Sequence, residues 1–181
     1  MSTAASPPVF DGPVVVMGVS GSGKSSIGER IAAAWGRDFL EGDSLHPPAN
    51  IEKMSAGIAL TDADRWPWLA TIGARLAQEG AAGIVVSCSA LKRSYRDLLR
   101  NAAGRPLAFV YLKGTRAVLL PRMGSRPGHF MPASLLDSQL AALESPEGEE
   151  NVVTVDVGPA RDRVATQALE GLARLRDARR G

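Results

Sequence analysis

Short runs of consecutive apolar residues alternate along this chain with longer stretches in which apolar positions recur every three or four residues. Val14-Val15-Val16-Met17 is apolar without a break and ends at Gly18, the pattern of a strand covered on both faces in a parallel sheet. Residues 24–35 then place Ile27, Ile31 and Trp35 at helical spacing. Asp38-Phe39-Leu40-Glu41 predicts a second strand, and a loop rich in Pro and Asn follows from His46 to Asn50. Asp62 or Asp64 is placed to cap a helix that tolerates Pro67 in its first turn and lines up Leu69, Ile72 and Leu76. Residues 84–86 predict a third strand, 107–112 a fourth and 152–155 a fifth. Leu91, Tyr95, Leu98 and Leu99 mark one further helix, and Val164, Ala168, Leu172 and Leu175 stripe the last. Five strands separated by helices predict an α/β fold with a mostly parallel sheet and right-handed crossovers.

Two segments stand outside this alternation. Residues 1–12 are small and polar, with Pro7 and Pro8, and lack the basic and apolar regions of a secretory signal. They are expected to form a disordered arm ahead of a single domain spanning 13–181. Residues 122–134 read R-M-G-S-R-P-G-H-F-M-P-A-S. A run of this length with no periodicity is expected to be a mobile lid over an active site.

Composition narrows the picture. With 45% hydrophobic and 22% charged residues the chain is an ordinary globular one. The 21 Lys and Arg against 19 Asp and Glu leave a net charge of +2, too small to argue for a nucleic-acid partner. No apolar stretch approaches the ~18 residues that span a bilayer. The one cysteine, Cys88, excludes an internal disulfide and a multi-cysteine zinc site. That usage suits a reducing compartment, and the expected location is the cytoplasm.

The strongest chemical signal is Gly18-Val19-Ser20-Gly21-Ser22-Gly23-Lys24-Ser25, which fits G-x-x-x-x-G-K-[ST] between a buried strand and an amphipathic helix. Its glycines let backbone N–H groups approach phosphate oxygens, and the helix N-terminus adds partial positive charge. Lys24 can reach the β- and γ-phosphates, and the Ser25 hydroxyl can ligate Mg2+; Ser26 follows them into the helix. The third strand ends in Ser87-Cys88-Ser89, without the aspartate that usually completes such a metal site, and no N-K-x-D guanine-reading motif occurs. Asp43, after the second strand, is the best candidate for the missing acid.

Ligands of an open parallel sheet sit beyond the carboxyl ends of its strands. Three polar clusters should converge there: Gly42 to Asn50 with Lys53 and Met54, Asp62 to Trp68, and Ser87 to Arg93. Asp43 can accept the proton of an attacking hydroxyl. Lys53 and Arg65 can neutralise an acceptor carboxylate, and His46 and Asn50 can hydrogen-bond its hydroxyls. Lys92 and Arg93 oppose the dipole at a helix start and so ask for an anionic partner. Arg122 and Arg126, four apart, can share a helix face, one packing on adenine and the other meeting phosphoryl charge. Trp66 and Trp68 read as packing residues, and Cys88 as an inert buried thiol.

The blocks G-V-S-G-S-G-K-S, E-G-D-S-L-H-P-P-A-N-I-E-K-M-S, L-T-D-A-D-R-W-P-W-L, S-C-S-A-L-K-R-S-Y-R-D-L-L-R, F-V-Y-L-K-G and G-H-F-M-P together resemble the thermoresistant gluconokinase family of P-loop kinases, from about Val14 to Asp156. The resemblance implies a three-layer, nucleoside-monophosphate-kinase-like fold with a five-stranded parallel sheet, helices on both faces and a closing lid. It implies transfer of the ATP γ-phosphoryl group to the 6-hydroxyl of D-gluconate, with Mg2+ required and often a homodimer. By the same resemblance Gly18 to Ser25 hold ATP, and Asp43, His46, Lys53 and Arg65 line the gluconate site. Ser89, Lys92, His129 and Gln139 join them there, and Arg122 and Arg126 act from the lid. Ile58-Ala59-Leu60 and Lys92-Arg93 depart mildly from the family pattern. A P-loop does not fix the acceptor, so a shikimate- or nucleoside-monophosphate-type kinase and a nucleotide-dependent switch protein stay open at this stage.

Overall fold

The computed structural model describes residues 9–78, 83–123 and 133–180. The first apolar run forms β1 (Val14–Met17), all four residues buried. It lies at the centre of a five-stranded sheet with β2 (Phe39–Glu41), β3 (Val85–Ser87), β4 (Ala108–Lys113) and β5 (Val152–Asp156), in the order β2-β3-β1-β4-β5. Every pairing is parallel. The strands are therefore sheltered on both faces, which is why they read as unbroken apolar runs.

From β1 the chain crosses in one direction to β2, then returns through β3 and passes to β4 and β5. Right-handed crossovers that reverse direction put their helices on opposite faces. So α1 (Lys24–Trp35) covers one face, where it packs with α7 (Arg161–Arg180). On the other face α3 (Asp62–Gln78) and α4 (Arg93–Ala103) pack on each other. The reversal leaves a crevice at the carboxyl end of β1, the usual ligand position in such sheets. Among the described residues no helix is long and apolar enough to cross a membrane.

The structure departs from the sequence expectations at four places. The Pro-Asn stretch is not a loop beyond its first residues: Pro48 opens α2 (Pro48–Ser55), because proline's fixed φ suits the first helical turn and its missing N–H has no partner there. The cap of α3 is neither Asp62 nor Asp64 but Thr61. Thr61 Oγ1 accepts from the Asp64 N–H at 3.2 Å while Asp64 Oδ2 accepts from the Thr61 N–H at 2.9 Å, a reciprocal capping box. Two helices flank the expected lid, α5 (Arg116–Met123), which carries Pro121, and α6 (Ala133–Ala142), whose leucines are not clearly periodic. Arg122 and Met123 end the one, Ala133 and Ser134 open the other, and 124–132 lie outside the described residues.

The fourth departure is the arm. Residues 1–8 lie outside the described residues, but the remainder is packed. Phe10 is 1% exposed, and Arg37 donates to the Phe10 and Gly12 carbonyls, both at 2.7 Å. Burying a phenylalanine contributes about 2 kcal/mol, enough with the Arg37 clamp to offset ordering a residue or two.

Candidate active site

The glycine-rich turn between β1 and α1 is pinned from outside. Gly21 has φ +81, and a Cβ there would stand 2.8 Å from the Leu119 carbonyl of α5, so only glycine serves. Within the turn Lys24 Nζ donates to the Val19 carbonyl at 3.1 Å. Val19 is in the core, and the buried Ser22 hydroxyl has no hydrogen-bond partner. An orphaned buried hydroxyl in a cradle of backbone N–H groups fits a phosphate ligand.

The end of β2 supplies an acid that the sequence reading passed over. Glu41 and Ser87 are register partners across β2 and β3. The Ser87 hydroxyl donates to Glu41 Oε1 at 2.7 Å, and the Ser25 hydroxyl donates to Glu41 Oε2. Gly42 lets the two strand ends meet this closely, because a Cβ there would lie 2.0 Å from the Ser87 carbonyl. The Gly42 N–H donates to Ser87 Oγ at 3.2 Å, and its carbonyl accepts from Trp68 Nε1 at 2.8 Å. Glu41 thus faces the candidate Mg2+ ligand Ser25. Serine hydroxyl and carboxylate oxygens are the hard donors that Mg2+ takes alongside nucleotide phosphates.

Two cavities open above this framework. The larger is lined by residues 20–27, Glu41, Asp43, Arg122, Met123, Val157, Pro159, Arg161 and Val164. The smaller is lined by Ser20, Lys24, Asp43, His46, Met54, Ala59, Leu60, Arg65, Trp68, Ser89, Leu91, Leu135, Ser138 and Gln139. Ser20, Lys24 and Asp43 belong to both walls, so the cavities meet at the lysine and the aspartate.

The structure brings together most, but not all, of the residues singled out from the sequence. Gln139 of α6 reaches the P-loop, accepting from the Ser20 N–H at 2.8 Å and the Ser20 hydroxyl at 3.0 Å. Arg122 lines the larger cavity and donates to the Val157 carbonyl at 2.7 Å. Ser26 lines that cavity too, whereas Gly18 and Val19 are not among its lining residues. Arg65 and Ser89 line the smaller cavity.

Three candidates stand back from the cavities. Asn50 is buried behind His46. Lys53 is paired with Asp64 at 2.8 Å. Lys92 is paired with Asp62 at 3.0 Å, so the anion that the basic start of α4 asks for is the protein's own. The Glu144 carboxylate accepts from the Arg93 N–H at 2.8 Å and caps the same helix. Arg126 and His129 lie outside the described residues.

A hydrogen-bonded group fixes Arg65 on the wall of the smaller cavity. Arg65 Nη1 donates to the Tyr95 hydroxyl at 3.1 Å, and that hydroxyl donates to Asp62. The Tyr95 and Lys92 bonds hold the Asp62 carboxyl below its ordinary range. Burial, and then the bond to Asp62, push the Tyr95 phenol up, so it stays a neutral donor. Opposite, the turn that places Ser89 and Leu91 passes through Ala90 at φ +46, unusual for a residue with a side chain. The fully buried Arg96 holds it, donating to the Ala90 carbonyl at 2.9 Å and to Glu149 at 2.7 Å.

A family model described as "AAA domain" matches residues 14–146. A gluconokinase of Gluconobacter oxydans is 53% identical over 144 residues, 78% of this chain and 80% of that protein. The thermoresistant gluconokinase of Escherichia coli is 42% identical over 160 residues, 86% of this chain and 90% of its own. This chain belongs to the gluconokinase family. The crystal structure of a family member from Sinorhizobium meliloti 1021 superposes with a TM-score of 0.89 at 60% identity, covering 95% of this chain and 97% of that one. An APS kinase of Mycobacterium tuberculosis, 20% identical with a TM-score of 0.63 over 90% of this chain and 98% of its own, shares the fold.

In this family member Glu41 is the residue that sequence reasoning missed. It reads as the last residue of a short strand, yet an acid at the carboxyl end of a parallel strand is itself a signal. The serine at the end of β3, standing where an aspartate usually completes the metal site, donates to Glu41 and so orients the acid that β2 supplies instead.

Proposed function

We propose that the protein transfers the γ-phosphoryl group of ATP to the 6-hydroxyl of D-gluconate, giving 6-phospho-D-gluconate and ADP in the cytoplasm. One observation carries the reading: a phosphate cradle and a smaller cavity of mixed polar and apolar lining share Lys24 and Asp43 on their common wall. ATP fits the larger cavity and gluconate the smaller, with the acceptor's alcohol at the junction.

Each residue then has a chemical part. The P-loop N–H groups and Lys24 hold the β- and γ-phosphates and meet the charge that develops on the transferring group. Ser25 would ligate Mg2+ with Glu41 beside it, and the ion would supply positive charge that offsets the charge of the phosphates. Asp43 orients the 6-hydroxyl and takes its proton as the oxygen bonds to the γ-phosphorus and the bond to the β,γ-bridging oxygen breaks. Arg65 neutralises the gluconate carboxylate. Arg122 flanks the nucleotide.

The test mixes purified protein with Mg-ATP and, in turn, gluconate, other sugar acids, shikimate and nucleoside monophosphates, and follows ADP release. Gluconate-dependent release is expected. Failure with gluconate beside success with another acceptor overturns the substrate, and release without dependence on any acceptor overturns the kinase reading. Lys24→Ala should lower kcat roughly 10²- to 10³-fold. Asp43→Asn should keep ATP binding and slow transfer by about 10²-fold or more.

A further inference from the structure

His46 is buried and stacked on Trp68, ring centroids 4.0 Å apart and planes within 16°. Its two ring nitrogens face different groups. Nδ1 lies 3.2 Å from Asn50 Nδ2. Nε2 lies 3.8 Å from Asp43 Oδ1, on the wall of the acceptor cavity. Which nitrogen carries the proton decides what that wall offers a ligand.

Asn50 answers the question by its second contact. Its Nδ2 also donates to the backbone carbonyl of Asp64 at 2.9 Å. A carbonyl oxygen only accepts, so the amide's nitrogen, not its oxygen, must lie on this side. The same nitrogen carries a second hydrogen, directed at His46 Nδ1. A donor there requires a lone pair on Nδ1, and the proton of the neutral ring must then be on Nε2.

We propose that Asn50 is a positioning residue that holds His46 as the Nε2–H tautomer, so that the ring presents a fixed donor beside the Asp43 carboxylate and does not compete with it as a base. The gap between Nε2 and Asp43 Oδ1 is too long for a hydrogen bond between them. It suits one alcohol oxygen that accepts from the ring and donates to the carboxylate. The charged groups facing the ring are Asp43 from the turn after β2 and Arg65 from α3, while Asn50 and Trp68 are neutral. Burial lowers the imidazole's affinity for a second proton, Asp43 opposes that and Arg65 adds to it. A doubly protonated ring would set an Nδ1–H against the Asn50 donor and break the chain of contacts. The proposal deepens the acceptor-site reading and rests on it for the identity of the alcohol, but the tautomer itself does not depend on that reading.

The experiment records long-range ¹H–¹⁵N spectra of the uniformly ¹⁵N-labelled full chain at pH 7.5. The chain has 2 histidines, and the His46 signals are those lost in His46→Gln. A protonated-type Nε2 and an unprotonated-type Nδ1 are expected, and an Asn50→Leu protein should turn to a mixture of tautomers. Its KM for gluconate should rise about five- to tenfold, the loss of one neutral hydrogen bond, with KM for ATP unchanged. Independently, His46→Gln, which keeps a donor near the Nε2 position, should retain a lower gluconate KM than His46→Leu. An unsubstituted chain with Nδ1 protonated overturns the proposal. So does an Asn50→Leu protein that keeps both the tautomer and the KM. If Asn50→Leu does not fold, the spectrum of the unsubstituted chain and the His46 pair of variants still decide. Absence of any turnover of gluconate would remove the acceptor reading and leave the spectrum to judge the tautomer alone.

Discussion

Ser87 at the end of β3 donates to the Glu41 carboxylate at the end of β2, and the same carboxylate accepts from the P-loop's Ser25. Two strand ends and the phosphate cradle are thereby tied at one side chain. Glu41→Gln keeps the shape and removes the charge. Its kcat is expected to fall roughly 10²-fold, with a higher Mg2+ concentration needed for half-maximal rate. Ser87→Ala removes one orienting hydrogen bond and should cost only about fivefold. Rates of ADP release across a Mg2+ titration check both, and an unchanged Mg2+ dependence in Glu41→Gln would remove the residue from the metal site.

Tyr95 reaches the acceptor cavity through Arg65. Tyr95→Phe leaves the ring and its edge-to-face contact with Trp66, 5.3 Å between centroids, but deletes the hydroxyl that Arg65 and Asp62 share. The gluconate KM should rise about three- to tenfold with kcat within about twofold. Steady-state kinetics with gluconate varied will separate the two, and an unaltered KM would detach Tyr95 from the carboxylate site.

The Lys53 ammonium, and after it the Thr61 N–H, hold the Asp64 carboxyl down at about 2. In the unfolded chain that carboxyl protonates near its ordinary value, about 3.9. Its contribution to stability is therefore complete above that value and is lost as pH falls from there to about 2. Thermal unfolding followed from pH 6 to pH 2 should show a steeper loss of Tm below pH 4 in the unsubstituted chain than in Asp64→Asn, which should start lower at pH 6. Parallel profiles would contradict the pairing.

Cys88 is fully buried at the end of β3, and burial pushes its thiol up to about 12. Thiolate is the reactive form, so the native protein should leave an aromatic disulfide reagent unreacted over hours at pH 8. One equivalent should react once denaturant is added. Rapid labelling of the folded chain would sink this expectation.

The sheet was legible because a strand covered on both faces cannot hide its composition: Val14 to Met17 and Ala108 to Leu112 are apolar throughout. The cradle was legible because backbone approach to phosphate demands glycine at fixed positions. The helices around the acceptor side were harder to see. α2 begins with prolines that resemble a break, and α6 presents leucines without a clear stripe. Charged residues were the least legible of all. Lys53 and Lys92 have the chemistry of ligands and spend it on Asp64 and Asp62, and nothing in the order of residues reveals a partnership that only the fold creates. Glu41 is the converse case, an acid hidden inside a strand because periodicity says nothing about what stands across the ladder.

The central position of β1 also bears on how the chain reaches this shape during synthesis. Val14 to Met17 are made well before their hydrogen-bonding neighbours, which begin only at Val85 and Ala108. Pairings so distant in sequence form slowly, and until they do, an apolar, aggregation-prone segment stands uncovered. While that wait lasts the segment at risk is β1 itself, all four of whose residues end up buried.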